Sequence, residues 1–158
     1  MSAKLLISLL DKQQKLHENL LKIAEDKTEI IKKGDMEGLQ RIMADEQKHI
    51  AAIQTIEVQR QQAAENVTGM PEATLSMCIE AASEDERPKL SAFQAGIMDI
   101  VEKLRHRNDL NQQLIYQSLQ FVNMSLSVLR PVPEHVTYSR PDKPKAVQGQ
   151  RALFSSKV

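Results

Sequence analysis

The sequence predicts an all-α protein: an antiparallel bundle of three long helices with one short helix and a flexible C-terminal tail. Composition is the first reason, since only 3 % of the 158 residues are aromatic while 41 % are apolar, and sheets favour aromatic and β-branched residues. The second reason is that apolar residues recur at helical spacing in three long segments. The third is an abrupt change of composition after Arg130.

The charge balance narrows the class of function. Twenty-one basic residues balance 21 acidic ones, which argues against a general nucleic-acid binder, because such proteins carry a basic excess.

No apolar run approaches the roughly 20 residues that span a bilayer, and Met1-Ser2-Ala3-Lys4 carries no signal-peptide cleavage site. We therefore expect a cytoplasmic protein with no stable membrane insertion.

The first helix is predicted from about Lys4 to Lys33. Its apolar heptad positions are Leu9, Leu16, Ile23 and Ile30. Basic residues followed by Gly34 are typical of a helix end, and Asp35 is a good N-cap for a second helix. A break of only two residues predicts an antiparallel helix hairpin.

The second helix is predicted from about Met36 to Val67, and Thr68-Gly69-Met70-Pro71 ends it. Residues 71–82 form a predicted short helix. The inner face of the second helix carries Leu39, Ile42, Met43, Ile50, Ile53, Ile56, Ala63, Ala64 and Val67.

The third long helix is predicted from about Glu86 to Leu129, with Pro88 in its first turn, where a missing N–H costs little. Its apolar residues at 100° steps form one arc of about 140°, predicted to face the core. That arc contains Leu90, Phe93, Ile97, Ile100, Val101, Leu104, Leu114, Ile115, Leu119, Val122, Leu126 and Leu129. Asn108 and Asn111 interrupt it, and they either face each other or water at a bundle end, or fix the helix register.

A second apolar stripe lies off that arc on the same helix. Leu110, Phe121, Met124 and Val128 form it, with Gln117 among them. It is explained either by dimerisation, by cover from residues 71–82, or by a groove or ridge for a partner helix. Under the last interpretation these five residues are the partner-binding site.

The chain changes character after Arg130. Residues 131–158 contain four prolines and five basic but only two acidic residues, which indicates a flexible basic tail. The predicted domains are a helical bundle at 1–130 and this tail at 131–158. Tyr138 and Phe154 are isolated aromatics in the tail and further candidate partner-binding residues.

No group of residues suggests an enzyme. Glu46-Gln-Lys-His49 has the Glu-x-x-His spacing of di-iron bundles, but a second copy is missing. Cys78, the single cysteine, has no neighbouring His or cationic cluster in the sequence that would activate it. We therefore expect no catalytic residues, no metal ligands and no cofactor.

The chain resembles the flagellar export chaperone family called FlgN over nearly its whole length. The most specific segment is Arg107-Asn108-Asp109-Leu110-Asn111-Gln112-Gln113-Leu114-Ile115, followed by Ser118-Leu119-Gln120-Phe121-Val122. Lys33-Gly34-Asp35, then Leu39, Glu46 and Arg60, Thr137-Tyr138, and the closing Ser155-Ser156-Lys157 also match that family.

The resemblance implies a cytoplasmic chaperone for the hook–filament junction proteins of the bacterial flagellum. Such chaperones bind the aggregation-prone helical ends of these proteins and deliver them to components of the flagellar type III export apparatus. The alternative from another class is a self-associating coiled-coil adaptor or structural protein. Self-association into a homodimer is left open by the sequence.

Overall fold

A computed structural model describes residues 2–129, and they form four α-helices. These are α1 (Lys4–Lys33), α2 (Met36–Thr68), α3 (Leu75–Ala81) and α4 (Arg87–Leu129). No strand occurs within residues 2–129. The predicted fold class is confirmed: three long helices and a short one account for nearly all of this part of the chain. The predicted tail lies outside the described residues.

The hairpin between α1 and α2 forms through the local signals that the sequence carries. Gly34 adopts a left-handed backbone with φ of 70°. Its N–H donates to the carbonyl of Ile31, and the N–H of Asp35 donates to the carbonyl of Ile30, which is the Schellman pattern. The Asp35 carboxylate then accepts a hydrogen bond of 2.9 Å from the N–H of Gly38 and caps α2.

Side-chain pairs fix the directions of the long helices. Gln13 near the start of α1 bonds Glu57 near the end of α2, and Lys27 near the end of α1 pairs with Glu46 at 3.2 Å. The helices α1 and α2 are therefore antiparallel. Ala3, just before α1, bonds Glu86, just before α4, and Ala24, further along α1, bonds Asn111, further along α4. The helices α1 and α4 are therefore parallel.

The main apolar core lies where the start of α1, the end of α2, α3 and the start of α4 meet. Its buried members are Ala3, Leu6, Leu9, Leu10, Ala63, Ala64, Ala73, Cys78, Ala82 and Leu90. Small residues of α2 in this set allow α3 to approach closely. The Arg87 guanidinium bonds the carbonyls of Ile79 and Ala82, and this contact satisfies the open end of α3.

The start of α1 has no capping side chain of its own. Glu86, from the link between α3 and α4, accepts a 2.9 Å hydrogen bond from the Ala3 N–H. An acidic group at a helix N-terminus is also favoured by the helix dipole. The link before α4 therefore caps α1, a long-range contact that no local sequence signal reveals.

The chain divides into two units, Met1–Ser118 and Leu119–Val158. In the first unit, Leu90 and Ile100 of the predicted α4 core arc are buried, and Phe93, Ile97, Val101, Leu104, Leu114 and Ile115 are partly buried. In the second unit, the predicted core residues Leu119, Val122, Leu126 and Leu129 are 45–76 % exposed. The prediction that the core arc extends to Leu129 is wrong, because helical spacing identifies a face but not how far along the helix that face is covered.

Candidate partner-binding surface

The last turns of α4 expose apolar side chains. Phe121 is 71 %, Met124 68 % and Val128 84 % exposed. We call these three residues the Phe121 ridge; with Ser125 and Leu129 they line one open hollow of about 420 Å³. Large exposed apolar side chains in a contiguous patch mark interaction sites, and Met and Phe adapt readily to different partners.

The other predicted partner-binding residues are placed differently. Leu110 is 38 % exposed and borders a hollow of about 370 Å³ together with Leu21 and Arg107. Gln117 is exposed as well. Tyr138 and Phe154 lie outside the described residues, so their assignment stays a prediction.

A second row of apolar residues on α4 is exposed, although the sequence predicted that it faces the core. Leu119, Val122, Leu126 and Leu129 are all exposed, and we call them the Leu119 ridge. Their spacing of three and four residues is the same as that of a core face. Nothing in their spacing distinguishes them from a core face, because exposure depends on which other elements reach that face.

Asn111 is not part of an exposed surface but a buried contact between helices. It is only 2 % exposed, and its Nδ2 donates a 2.9 Å hydrogen bond to the Ala24 carbonyl. The hydroxyl of the fully buried Thr28 donates to Asn111 Oδ1. The proposal that an Asn fixes helix register therefore fits Asn111, whereas Asn108 is exposed.

A cleft of about 580 Å³ in the first unit is lined by α1, α2, the α2–α3 link, α3 and α4. Among its charged residues, Arg60 and Glu57 form an ion pair, and Glu65 is bonded to the backbone of the α2–α3 link. Arg60 donates to Glu57 through Nε at 2.9 Å, and Glu65 accepts a 3.2 Å hydrogen bond from the N–H of Glu72. The hydrogen bonds from Arg60 are the main reason that the pKa of Glu57 is lowered, with the hydrogen bond from Gln13 acting in the same direction.

The residues weighed for chemistry have structural partners. Glu46 pairs with Lys27, while the His49 ring bonds the backbone carbonyl of Asp45. Cys78 is completely buried, and burial raises the pKa of its thiol, which works against the reactive thiolate. Within residues 2–129, no group of three or more His, Cys, Asp or Glu side chains is arranged to hold a metal ion.

The helices of residues 2–129 include none with both the length and the apolar character needed to cross a bilayer.

A family model described as FlgN protein matches residues 1–146. The chain is 34 % identical over 160 aligned residues to the "Uncharacterized protein YvyG" of Bacillus subtilis (strain 168), and the alignment covers all of both chains. No solved structure matches the chain significantly.

Proposed function

The chain belongs to the FlgN family of flagellar export chaperones, and from this premise we propose that it binds hook–filament junction proteins in the cytoplasm. In this proposal it keeps them from assembling prematurely and delivers them to the flagellar type III export apparatus. The observation that supports this function best is the exposed apolar end of α4, where Phe121 is 71 % exposed.

Binding rather than catalysis is the chemistry that this surface offers. The Phe121 ridge presents apolar side chains on a helix, and an amphipathic helix from a partner can lay its apolar face against such a ridge. The terminal helices of an unassembled junction protein would present such a face. Covering it would keep these helices from associating with one another.

A few side chains should carry most of the affinity. Hot spots in protein interfaces are typically a small set of large residues that become fully desolvated. Phe121 is the only aromatic residue of the ridge, and we assign it the principal role. Leu110 and Gln117 extend the proposed contact along α4, and Tyr138 and Phe154 extend it into the tail.

Self-association is the second candidate, and the same exposed ridges favour it. A coiled-coil adaptor would use them to bind a second copy of the chain. Sedimentation at several protein concentrations separates the two functions. A mass that rises with concentration favours the adaptor, and a monomer that binds a junction protein one-to-one favours the chaperone.

The test of the proposed function is the variant Phe121→Asp. It places a charge in the centre of the proposed interface, and we expect junction-protein binding to weaken at least about tenfold. Because Phe121 is exposed, the helical content in circular dichroism should not change. Binding is measured by co-purification from a lysate of the source organism, with the captured junction proteins identified by mass spectrometry.

Val58→Asp is the matched control, since Val58 is a helical residue with 70 % exposure in the first unit. It introduces the same charge on an equally exposed apolar position and should leave junction-protein capture unchanged. If the unmodified chain captures no junction protein, the proposed function is wrong. If Phe121→Asp captures as much junction protein as the unmodified chain, the assignment of the contact to Phe121 is wrong. Unfolding of Phe121→Asp would instead place Phe121 in the core.

A further inference from the structure

The end of α4 differs from the rest of the chain in its charge. Charged residues make up 27 % of the sequence, but none occurs from Leu110 to Leu129. The polar residues of this segment are Asn, Gln, Ser and one Tyr. A long exposed helix in a protein of this composition would ordinarily carry several charged residues.

This lack of charge constrains the partner. A charged group buried against a neutral surface loses hydration without gaining an ion pair, and binding is weakened. A partner with a neutral face avoids that cost. Neutral amide and hydroxyl groups on such a face can also hydrogen-bond the Gln, Asn and Ser side chains of α4.

The two ridges also determine how many sides of α4 the partner must cover. At 100° per residue, the centre of the Leu119 ridge and the centre of the Phe121 ridge lie about 150° apart around the helix. Gln120, Asn123 and Ser127 lie between them on one side. Both ridges are exposed over Leu119–Leu129, and on the other side they adjoin at the hollow that Leu129 lines with the Phe121 ridge. Together they occupy about 220° of the helix circumference, which is wider than the face that one straight helix covers.

We propose that the end of α4, Leu119–Leu129, inserts between two uncharged apolar helical faces of its partner. The partner therefore contributes a helical hairpin or the groove of a helical bundle, and the end of α4 packs there as an additional helix. Ion pairs contribute little to this association. The identity of the partner as a hook–filament junction protein rests on the proposed function, whereas the neutral, two-sided contact rests on the ridges and the missing charges.

The experiment measures the dissociation constant of the full chain with a purified junction protein by titration calorimetry. We expect it to change less than about threefold between 50 mM and 500 mM NaCl, because exposed ion pairs are what salt screens. Phe121→Ser and Leu126→Ser, one on each ridge, should each weaken binding at least tenfold. Val58→Ser is the matched control and should leave the dissociation constant unchanged.

The outcomes separate this inference from the proposed function. A dissociation constant that rises tenfold or more with salt, or a Leu126→Ser variant that binds normally, overturns the two-sided neutral contact while leaving the chaperone function intact. Absence of binding at both salt concentrations overturns the proposed function itself. Circular dichroism of each variant verifies that the helices are retained.

Discussion

At the scale of single residues, Asn111 shows how one amide can specify a helix contact. Its side chain bridges the Ala24 carbonyl and the Thr28 hydroxyl in a buried site. A shift of α4 along α1 would leave these polar groups buried without partners, at a cost of about 1 to 3 kcal/mol for each group. Apolar neighbours alone would discriminate less sharply between registers.

Asn111→Ala should therefore lower the free energy of unfolding by about 1 to 3 kcal/mol, because it removes a partner of Thr28 and leaves a cavity. Urea denaturation measures the change. Asn108→Ala is the matched control, since Asn108 is exposed on the same helix, and its effect should stay within about 0.5 kcal/mol. Equal effects of the two substitutions would contradict a register role for Asn111.

The lowered pKa of Glu57 predicts how the free energy of unfolding changes with pH in the acid range. Its pKa is lowered in the folded chain from an ordinary value of 4.5, chiefly by the Arg60 hydrogen bonds. The folded state thus binds fewer protons than the unfolded state, so the stabilisation is present above the ordinary pKa and is lost as the pH falls through the lower folded pKa.

The substitution Glu57→Gln should cost about 0.5 kcal/mol at pH 7, a small value because the pair is partly solvated. The difference in unfolding free energy between the unmodified chain and this variant should shrink as the pH falls from about 5 to about 3. Urea denaturation across this range measures it. A difference that grows toward pH 3 would refute the assignment, and Glu80→Gln, at an exposed position, is the control.

At the scale of helices, the ends of the helices could be predicted closely, because the residues that cap a helix usually lie next to its end in the sequence. Lys33-Gly34-Asp35 encodes both the end of α1 and the start of α2, and the structure has these ends where the sequence predicts them. The cap of α1 by Glu86 was not predictable, since Glu86 is distant in sequence from Ala3, whose N–H it binds. Asn108 and Asn111 lie on one predicted face, and only packing decides which becomes buried.

The exposed end of α4 was predictable only in part for the same reason. The spacing of Phe121, Met124 and Val128 indicated a face outside the core, and these residues are exposed. The spacing of Leu119 and Val122 indicated burial, and they are exposed as well. Periodicity records which residues share a face, whereas burial depends on which other elements reach that face.

Gly34→Ala tests the hairpin itself. A Cβ at this position would meet no atom within 4 Å, so the substitution changes only the energy of the left-handed backbone at φ of 70°. We expect a loss of about 1 kcal/mol in the free energy of unfolding, measured by thermal or urea denaturation. Gly34→Asn should lose less, because Asn tolerates this conformation, and equal losses would contradict the explanation.

At the scale of the whole molecule, the two units have different physical characters. The first unit, Met1–Ser118, holds the apolar core, the helix hairpin and the Asn111 contact. The described part of the second unit, residues 119–129, exposes two apolar ridges and carries no charge. An apolar core in the first unit and an exposed, uncharged helix end in the second agree with the partner binding that we propose.

The most direct measurement is hydrogen exchange of the full chain, alone and in complex with a purified hook–filament junction protein. We expect the amides of residues 119–129 to exchange at least tenfold more slowly in the complex, while most amides of the first unit exchange as before. Slower exchange confined to residues 2–118, with residues 119–129 unchanged, would contradict the claim that the end of α4 is where this chain holds its partner.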